Sequence, residues 1–322
     1  MTPHRAGVTR ASLMLQVTLG SHACSPSPRV VAVGNFDGVH AGHRALLAVL
    51  TDLADARGAR ATVTTFDPAP TAVLAPERHQ PRIMPLADRV ARLGEVGVEE
   101  VVVEAFDRPM GAHPARWFAR EFLARRLGAV AVVVGYDFRF GHGREGTAAL
   151  LRAWLPGVEV LEVPALEDAE GPISSSRVRR LVTNGNVEDA AALLGRPHRL
   201  VGTVIAGDQR GRTIGFPTAN LLLRTELLPA NGVYAVRVRV DGTAARPGVM
   251  NLGTRPTVDG TRLSPEVHLM DFAGDLYGRE LAVELVARLR AEVRFASLDA
   301  LVAQIRLDAA QARALLAEGA TP

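Results

Sequence analysis

Between residue 29 and about residue 164, strand-length apolar runs alternate with helical stretches, and this alternation constrains the fold more than any other feature. The runs at 30–33, 61–66, 100–103 and 129–134 are rich in β-branched residues, and helical periodicity fills 43–57, 86–96 and 114–127. Continuous apolar strands are shielded on both sides, so this order predicts an α/β parallel sheet covered by helices. Ligands of such sheets bind beyond the carboxyl ends of the strands, near the point where strand order reverses.

The pattern breaks near residues 194–197. Beyond it the chain is glycine-punctuated and lacks helical period. GVYAVRVRV at 232–240 alternates as a half-buried antiparallel strand should, and Asp241-Gly242 supplies a turn. Such short strands predict a small antiparallel β-barrel or sandwich. A closing helix is expected at 298–318, capped by Ser297.

Composition then removes whole classes of chemistry. The chain has no lysine, so all 37 basic residues are arginine, and formal net charge is only +3. A Walker A loop and a protein-kinase strand lysine are therefore impossible. Any phosphoryl chemistry falls to arginine, histidine, backbone N–H groups and metal. Aromatics are 5% and no arginine block is interleaved with them, which argues against a nucleic-acid partner. Cys24 is the single cysteine, excluding disulfides and thiolate zinc sites and fitting a reducing cytosol. No apolar run approaches the ~18 residues of a membrane span. Residues 1–36 hold Arg5, Arg10 and Arg29 but no acid, a composition shared by transit peptides and floppy leaders. The expectation is a flexible leader over 1–28, with Met14 as an alternative start.

The first strand runs into GNFDGVHAGHRALL, residues 34–47. A turn after a parallel strand presents backbone N–H groups, and the next helix N-terminus adds partial positive charge, which together suit a phosphate. Gly34, Gly38 and Gly42 let the backbone come close to it. His40 and His43, on one side of the first helical turn, can donate hydrogen bonds to charge building on a phosphoryl oxygen. One histidine here would read as a cap or core residue; the pair behind a glycine turn favours function. G-x-G-x-x-G is absent, which excludes a dinucleotide fingerprint. His4, His22 and His79 read as solvated, and Trp117 and Phe118 as core.

GNFDGVHAGH resembles the signature of the H-x-G-H nucleotidylyltransferase superfamily. ISSSRVRRLV at 173–182 resembles its second signature, a serine-rich turn opening a helix with arginine. The resemblance implies that Gly34, Asn35, Phe36, Asp37, His40, His43, Ser174, Ser175, Ser176 and Arg179 bind ATP. The serines and their helix N-terminus would hold the triphosphate, with His40, His43 and Arg179 stabilising developing charge. Within the superfamily the chain is most similar to the prokaryotic bifunctional riboflavin kinase/FAD synthetase family. TFDPAP at 65–70 and VVVGYDFRFGHGREGT at 132–147 resemble its adenylyltransferase half. GRTIGFPTANL at 211–221, GVMNLGTRPT at 248–257 and EVHLMDFAGDLYG at 266–278 resemble its kinase half. Two positions depart from the pattern: Ala69, where histidine is usual between the prolines, and Ser176, where threonine is commoner.

This resemblance implies a Rossmann-like nucleotidyltransferase domain over 29–194 and a riboflavin kinase β-barrel with a C-terminal helix over 195–322. It assigns Pro68, Pro70, Asp137, Phe138, Phe140, Asn251 and Arg290 to flavin, and Gly207, Gly215, Thr218 and Asn220 to a second ATP. Thr218 and Asn220 are two apart, so on an extended strand both point to one face. A hydroxyl and an amide oxygen suit Mg²⁺ that keeps several waters and bridges phosphates. Gly202, Gly207, Gly211 and Gly215 would form a flap over the nucleotide, and Glu266 is implied as the base. The implied sequence is cytoplasmic: riboflavin is phosphorylated with MgATP to FMN, which a second ATP adenylates to FAD and pyrophosphate. Alternatives sharing these motifs are an adenylyltransferase with a degraded flavin-binding barrel, a paralogue for a riboflavin analogue, and a non-enzymatic flavin sensor. Intact His40, His43, Thr218, Asn220 and Glu266 weigh against the first and last; Ala69 bears on the second.

Overall fold

The structure, a computed structural model, describes residues 14–207, 215–257 and 260–318. The expected flap residue Gly211 and the first part of the leader lie outside them. Packing divides the chain into two compact units. One comprises residues up to Gln80 with Leu86–Pro172, the other Pro81–Pro85 with the chain from Ile173 onward.

The first unit is the expected parallel sheet, with six strands: β1 Gln16–Leu19, β2 Arg29–Val33, β3 Arg60–Phe66, β4 Glu100–Glu104, β5 Ala129–Gly135 and β6 Glu159–Val163. Their spatial order is β1-β4-β3-β2-β5-β6, all parallel. Every residue of β2 and β4 is buried, as sheets covered on both faces require. Around them lie α1 Ala41–Arg57, α2 Pro70–Leu74, α3 Leu86–Glu95, α4 Arg108–Ala112, α5 Ala115–Trp117 and α6 Ala148–Trp154. The helix expected at 114–127 changes winding: α5 runs into a π-helix at Phe118–Arg126, which turns Phe118, Phe122 and Leu123 into the core. A short pair, β7 Glu167–Asp168 and β8 Gly171–Pro172, ends the unit.

The flexible leader expected over 1–28 is corrected from Gln16 onward, because β1 pairs with β4 in register Gln16–Glu100 to Leu19–Val103. Only Thr18 of β1 is buried, so the strand has no apolar face for periodicity to reveal. Thr18 instead donates to the fully buried Glu100, 3.0 Å away. Arg29, also fully buried, donates through Nε to Glu100 at 2.7 Å, and through Nη1 to the Ser25, Ser27 and Leu127 carbonyls. Burial alone would raise the Glu100 carboxyl. The Arg29 guanidinium, helped by Thr18 and Arg60, holds it below the ordinary carboxylate range. Because Arg29 opens β2 and Glu100 opens β4, this ion pair ties the amino-terminal edge of the sheet. The opposite edge is left to the loops.

The second unit is a closed antiparallel barrel, resolving the barrel-or-sandwich alternative. Its strands are β9 His198–Ile205, β10 Ala219–Leu223, β11 Gly232–Val240, β12 Arg246–Thr257, β13 Gly260–Leu269 and β14 Glu280–Arg290, in the order β10-β13-β12-β11-β14-β9. Tyr234, Met250, Leu252, Val267 and Leu281 fill the interior. Helices α7 Ser175–Thr183 and α8 Val187–Leu194 precede the barrel, and α9 Leu298–Glu318 follows it. Ser297 caps α9 as expected, its Oγ accepting from Ala300 N at 3.2 Å. The α9 residues Ala312 and Leu316 pack on Ala235 and Met270. Val178, Leu181, Val182, Ala190 and Leu194 pack with Ile83 and Leu227. The packing boundary therefore falls at Pro172/Ile173, ahead of the expected division between 194 and 195, because the apolar faces of α7 and α8 are buried in the second unit. Among the described residues no helix is long and apolar enough to cross a membrane.

Candidate active sites

In the first unit, strand order runs outward from β2 through β3 and β4 on one side and through β5 and β6 on the other. The reversal lies between β2 and β5, which opens a crevice at their carboxyl ends. The His40 loop follows β2, the Pro68–Pro70 turn follows β3, and the Asp137–Phe140 loop follows β5. Since all strands are parallel, these three loops share one edge of the sheet.

The His40 loop is bent hard. Phe36, Gly38 and Val39 have φ of 48°, 86° and 42°. Glycine accepts this region freely, whereas for Phe36 and especially the β-branched Val39 it is strained. Burial holds them: Phe36 and Val39 are 3% and 1% exposed. Gly34 N donates to the Thr64 carbonyl at 3.1 Å, and the Asn35 carbonyl accepts from Thr65 Oγ1 at 3.3 Å and Arg89 Nη1 at 2.8 Å. Arg89, on α3, is almost fully buried beneath the loop. Its role was not legible in sequence, where an arginine on a helix reads as a solvated face.

His40 is the N-cap of α1, its Nδ1 accepting from His43 N at 3.3 Å. With Nδ1 an acceptor, the neutral ring carries its proton on Nε2, which makes Nε2–H the donor. The two imidazoles stack with centroids 3.7 Å apart and planes 20° apart, and the Phe36 ring lies 5.1 Å from that of His43. Buried Asp37 stands in the same turn. Strained loop, helix N-terminus and paired imidazoles thus converge in an arrangement able to stabilise an anion.

The expected flavin residues of this unit separate. Pro68 is exposed, Pro70 opens α2, Asp137 is exposed and Phe138 is half-buried. Phe140 is 6% exposed, packed in the core on Phe118, and its ring stacks beneath Phe138 with centroids 5.4 Å apart. Ala69 is the N-cap of α2 with no side-chain cap.

In the second unit Ser174 caps α7, its Oγ accepting from Arg177 N at 3.3 Å, with Ser175 half-buried and Ser176 exposed on the first turn. Arg179 donates through Nε to the Pro81 carbonyl at 2.8 Å.

On the barrel, Glu266 of β13 pairs directly with Asn220 of β10 and with Asn251 of β12. Directly opposed residues share a sheet face. Because their neighbours Ala219, Val267, Met250 and Leu252 point into the barrel core, all three face outward. Thr218 Oγ1 donates to Glu266 Oε2 at 3.2 Å, and Ser264 Oγ donates to Oε1 at 3.2 Å. His268 Nδ1 bonds the Pro217 carbonyl at 2.8 Å, and its ring meets Phe216 edge-on. Gly207 lies against the Asn220 amide so closely that a Cβ there would overlap it. Thr218, Asn220 and Gly207 line a cavity of about 90 Å³ walled by Phe272, Leu276 and Tyr277. Those three wall residues escaped the sequence reading, although their segment lies within EVHLMDFAGDLYG. Gly215 opens GFPTAN with a φ of 82°.

Arg290 is committed elsewhere. Its Nη2 and Nε bind Asp308 of α9 at 2.8 and 3.0 Å, and Asp308, 3% exposed, also accepts from Gln304. Phe295 covers the guanidinium, 5.6 Å from it.

Comparison with known proteins bears on both units. Residues 23–177 match the FAD synthetase family and residues 194–316 the riboflavin kinase family, which together define a two-domain transferase. The bifunctional riboflavin kinase/FMN adenylyltransferase of Escherichia coli (strain K12) is 43% identical over 304 residues, covering 93% of this chain and 97% of that one. Its counterpart in Pseudomonas fluorescens is 40% identical over 311 residues, covering 95% and 99%. A crystal structure from Streptococcus pneumoniae, described as a macrolide-efflux protein, superposes with a TM-score of 0.85 at 35% identity over 93% of this chain and 99% of that one. The chain belongs to the bifunctional riboflavin kinase/FMN adenylyltransferase family.

Proposed function

We propose that the barrel phosphorylates riboflavin with ATP to FMN, and that the half of the chain over residues 29–194 adenylates FMN with a second ATP to FAD. The observation that carries the first half is the Asn220–Glu266–Asn251 row with Thr218 donating to Glu266. Glu266 accepts the proton of the ribityl 5′-hydroxyl, whose oxygen bonds the γ-phosphorus while the bridging oxygen leaves with ADP. Since Thr218 gives its proton to Glu266, its oxygen lone pairs face away from the carboxylate. That oxygen and the Asn220 amide are hard donors fitting Mg²⁺, which when bound would neutralise charge on the nucleotide phosphates. Phe272, Leu276 and Tyr277 form the apolar wall for the base of the nucleotide.

In the second reaction a phosphate oxygen of FMN attacks the α-phosphorus of ATP and pyrophosphate leaves. His40 Nε2–H and His43 donate to charge gathering on the α-phosphoryl oxygens, the loop 34–38 and the α1 N-terminus receive the phosphates, and Ser174, Ser175, Ser176 and Arg179 meet the triphosphate. Pro68, Pro70, Asp137 and Phe138 frame the flavin, and buried Phe140 backs Phe138 rather than touching ligand. Asn251 faces the flavin on the barrel, while Arg290 contributes by fixing α9 through Asp308. We assign the work to the cytoplasm, in keeping with a single cysteine.

Chromatography of products from riboflavin, ATP and Mg²⁺ tests the reading. FMN followed by FAD is expected. FMN alone would overturn the second half, and neither product would overturn the whole.

A further inference from the structure

Ser264 and Glu266 lie two apart on β13, so both project to its outer face. Each carboxylate oxygen of Glu266 accepts one hydroxyl: Oε1 from Ser264 Oγ and Oε2 from Thr218 Oγ1, both at 3.2 Å. An ionised carboxylate only accepts, so both hydroxyl protons must point at it. We propose that Ser264 is a positioning residue for riboflavin phosphorylation, fixing the Glu266 carboxylate in the orientation that meets the ribityl 5′-hydroxyl. The proposal rests on the reading of Glu266 as the base. The terminal torsion of a glutamate is broad and nearly free, and a donor on one oxygen restrains it less than donors on both. A second donor on the other oxygen, from within the strand itself, removes that freedom. The residue paired with Ser264 across β12 is Gly253, which brings no side chain to take over the donor. Acting through Glu266, Ser264 governs how often the base is aimed and not how tightly substrate binds, so its loss falls on kcat and spares KM.

The test uses Ser264→Ala, Ser264→Thr, Ser264→Val and Glu266→Gln in the intact chain, with adenylylation of supplied FMN measured on the same preparations. Ser264→Ala is expected to lower kcat for riboflavin phosphorylation about 10- to 100-fold, the range for losing a hydrogen bond to a charged group. KM for riboflavin and adenylylation of FMN should hold, and Ser264→Thr should restore most of kcat. If Ser264→Ala turns over at the parental rate while Glu266→Gln is inactive, the proposal is overturned and the base stands. If Glu266→Gln itself turns over normally, the base reading fails and the proposal falls with it. A raised KM at unchanged kcat would make Ser264 a binding residue and overturn positioning. Should Ser264→Ala lose both activities by misfolding, the near-isosteric Thr and Val variants decide. Threonine active and valine impaired supports the proposal, and equal rates overturn it.

Discussion

In the sites proposed, the sheet unit aims backbone at phosphate, whereas the barrel unit aims side chains. In the sheet unit the proposed cradle is a strained loop and a helix start, with two histidines stacked against each other inside the turn. In the barrel the working groups stand abreast on three antiparallel strands and reach their positions through register. The difference predicts where each is fragile. A backbone cradle keeps most of its donors when a side chain is removed, while a row of single side chains loses a function with each one. The strongest single-residue effect is therefore expected in the barrel.

Glu266→Gln keeps the volume and removes the proposed base, and loss of a general base typically lowers rate by roughly 10²–10⁴. FMN should no longer form from riboflavin, yet supplied FMN should still become FAD. Equal loss of both activities in a folded variant would break the comparison by showing one shared centre.

Next in size is an effect on stability confined to the sheet unit. Glu100→Gln strips the buried Arg29 of its counter-charge, and breaking a buried pair from one side costs about 3–5 kcal/mol. Trp117 and Trp154, the two tryptophans of the chain, both lie in the sheet unit, so their fluorescence follows its unfolding alone. The pH dependence has a definite sign. The Glu100 carboxyl is held below its ordinary range, so it contributes stability fully above the unfolded value of about 4.3 and loses it as pH falls through the lowered folded value. The gap between parent and variant should be widest near neutrality and narrow in acid. A constant gap would show that Arg29 and Glu100 are not coupled.

His43→Ala comes third. Removing one donor aimed at transition-state charge typically costs about 10²–10³ in rate. The remaining backbone cradle should leave KM for ATP in adenylylation nearly unchanged while FMN accumulates from riboflavin. A large rise in that KM with kcat preserved would mean that the histidine holds ground-state nucleotide, and the contrast between the two sites would weaken.

How far the sequence carried differs between the units for a physical reason. Strands β2 to β5 were legible because burial on both faces writes a continuous apolar run, and the H-x-G-H turn because its residue types are rarely gathered for structure alone. Strand β1 was not legible, since an exposed edge strand held by one pairing and by Thr18 writes no pattern. The place of Ile173–Leu194 was hidden too, because an amphipathic helix records that one face is covered and not by what. At the barrel site Thr218 and Asn220 were legible through the family resemblance, which their two-residue spacing fits. Their alignment with Glu266 and Asn251 depends on register between distant strands, which local sequence does not encode. Arg290 shows the converse: the resemblance assigned it to flavin, and in the fold its Nε and Nη2 donate to Asp308.

The smallest expected effect separates the two parts of the segment ahead of β2. A chain beginning at Met14 retains all of β1, which starts at Gln16. Its sheet-unit stability is expected to match the parent within about 0.5 kcal/mol. Thr18→Val, made within that shortened chain, keeps the strand and its β-branched shape but withdraws the hydroxyl that Glu100 accepts at 3.0 Å. A lost hydrogen bond to a buried charge costs about 1.5–3 kcal/mol, so tryptophan fluorescence should show a clear drop for Thr18→Val and none for the truncation alone. Both chains should phosphorylate riboflavin at the parental rate, because the barrel unit draws no strand from this end of the sequence. If the truncation alone destabilised the sheet unit, residues ahead of β1 would be structural. If Thr18→Val were silent, β1 would be held by its backbone pairing and the Arg60–Gln16 contact, and the buried cluster at the amino-terminal edge would consist of Arg29, Thr62 and Glu100 without it.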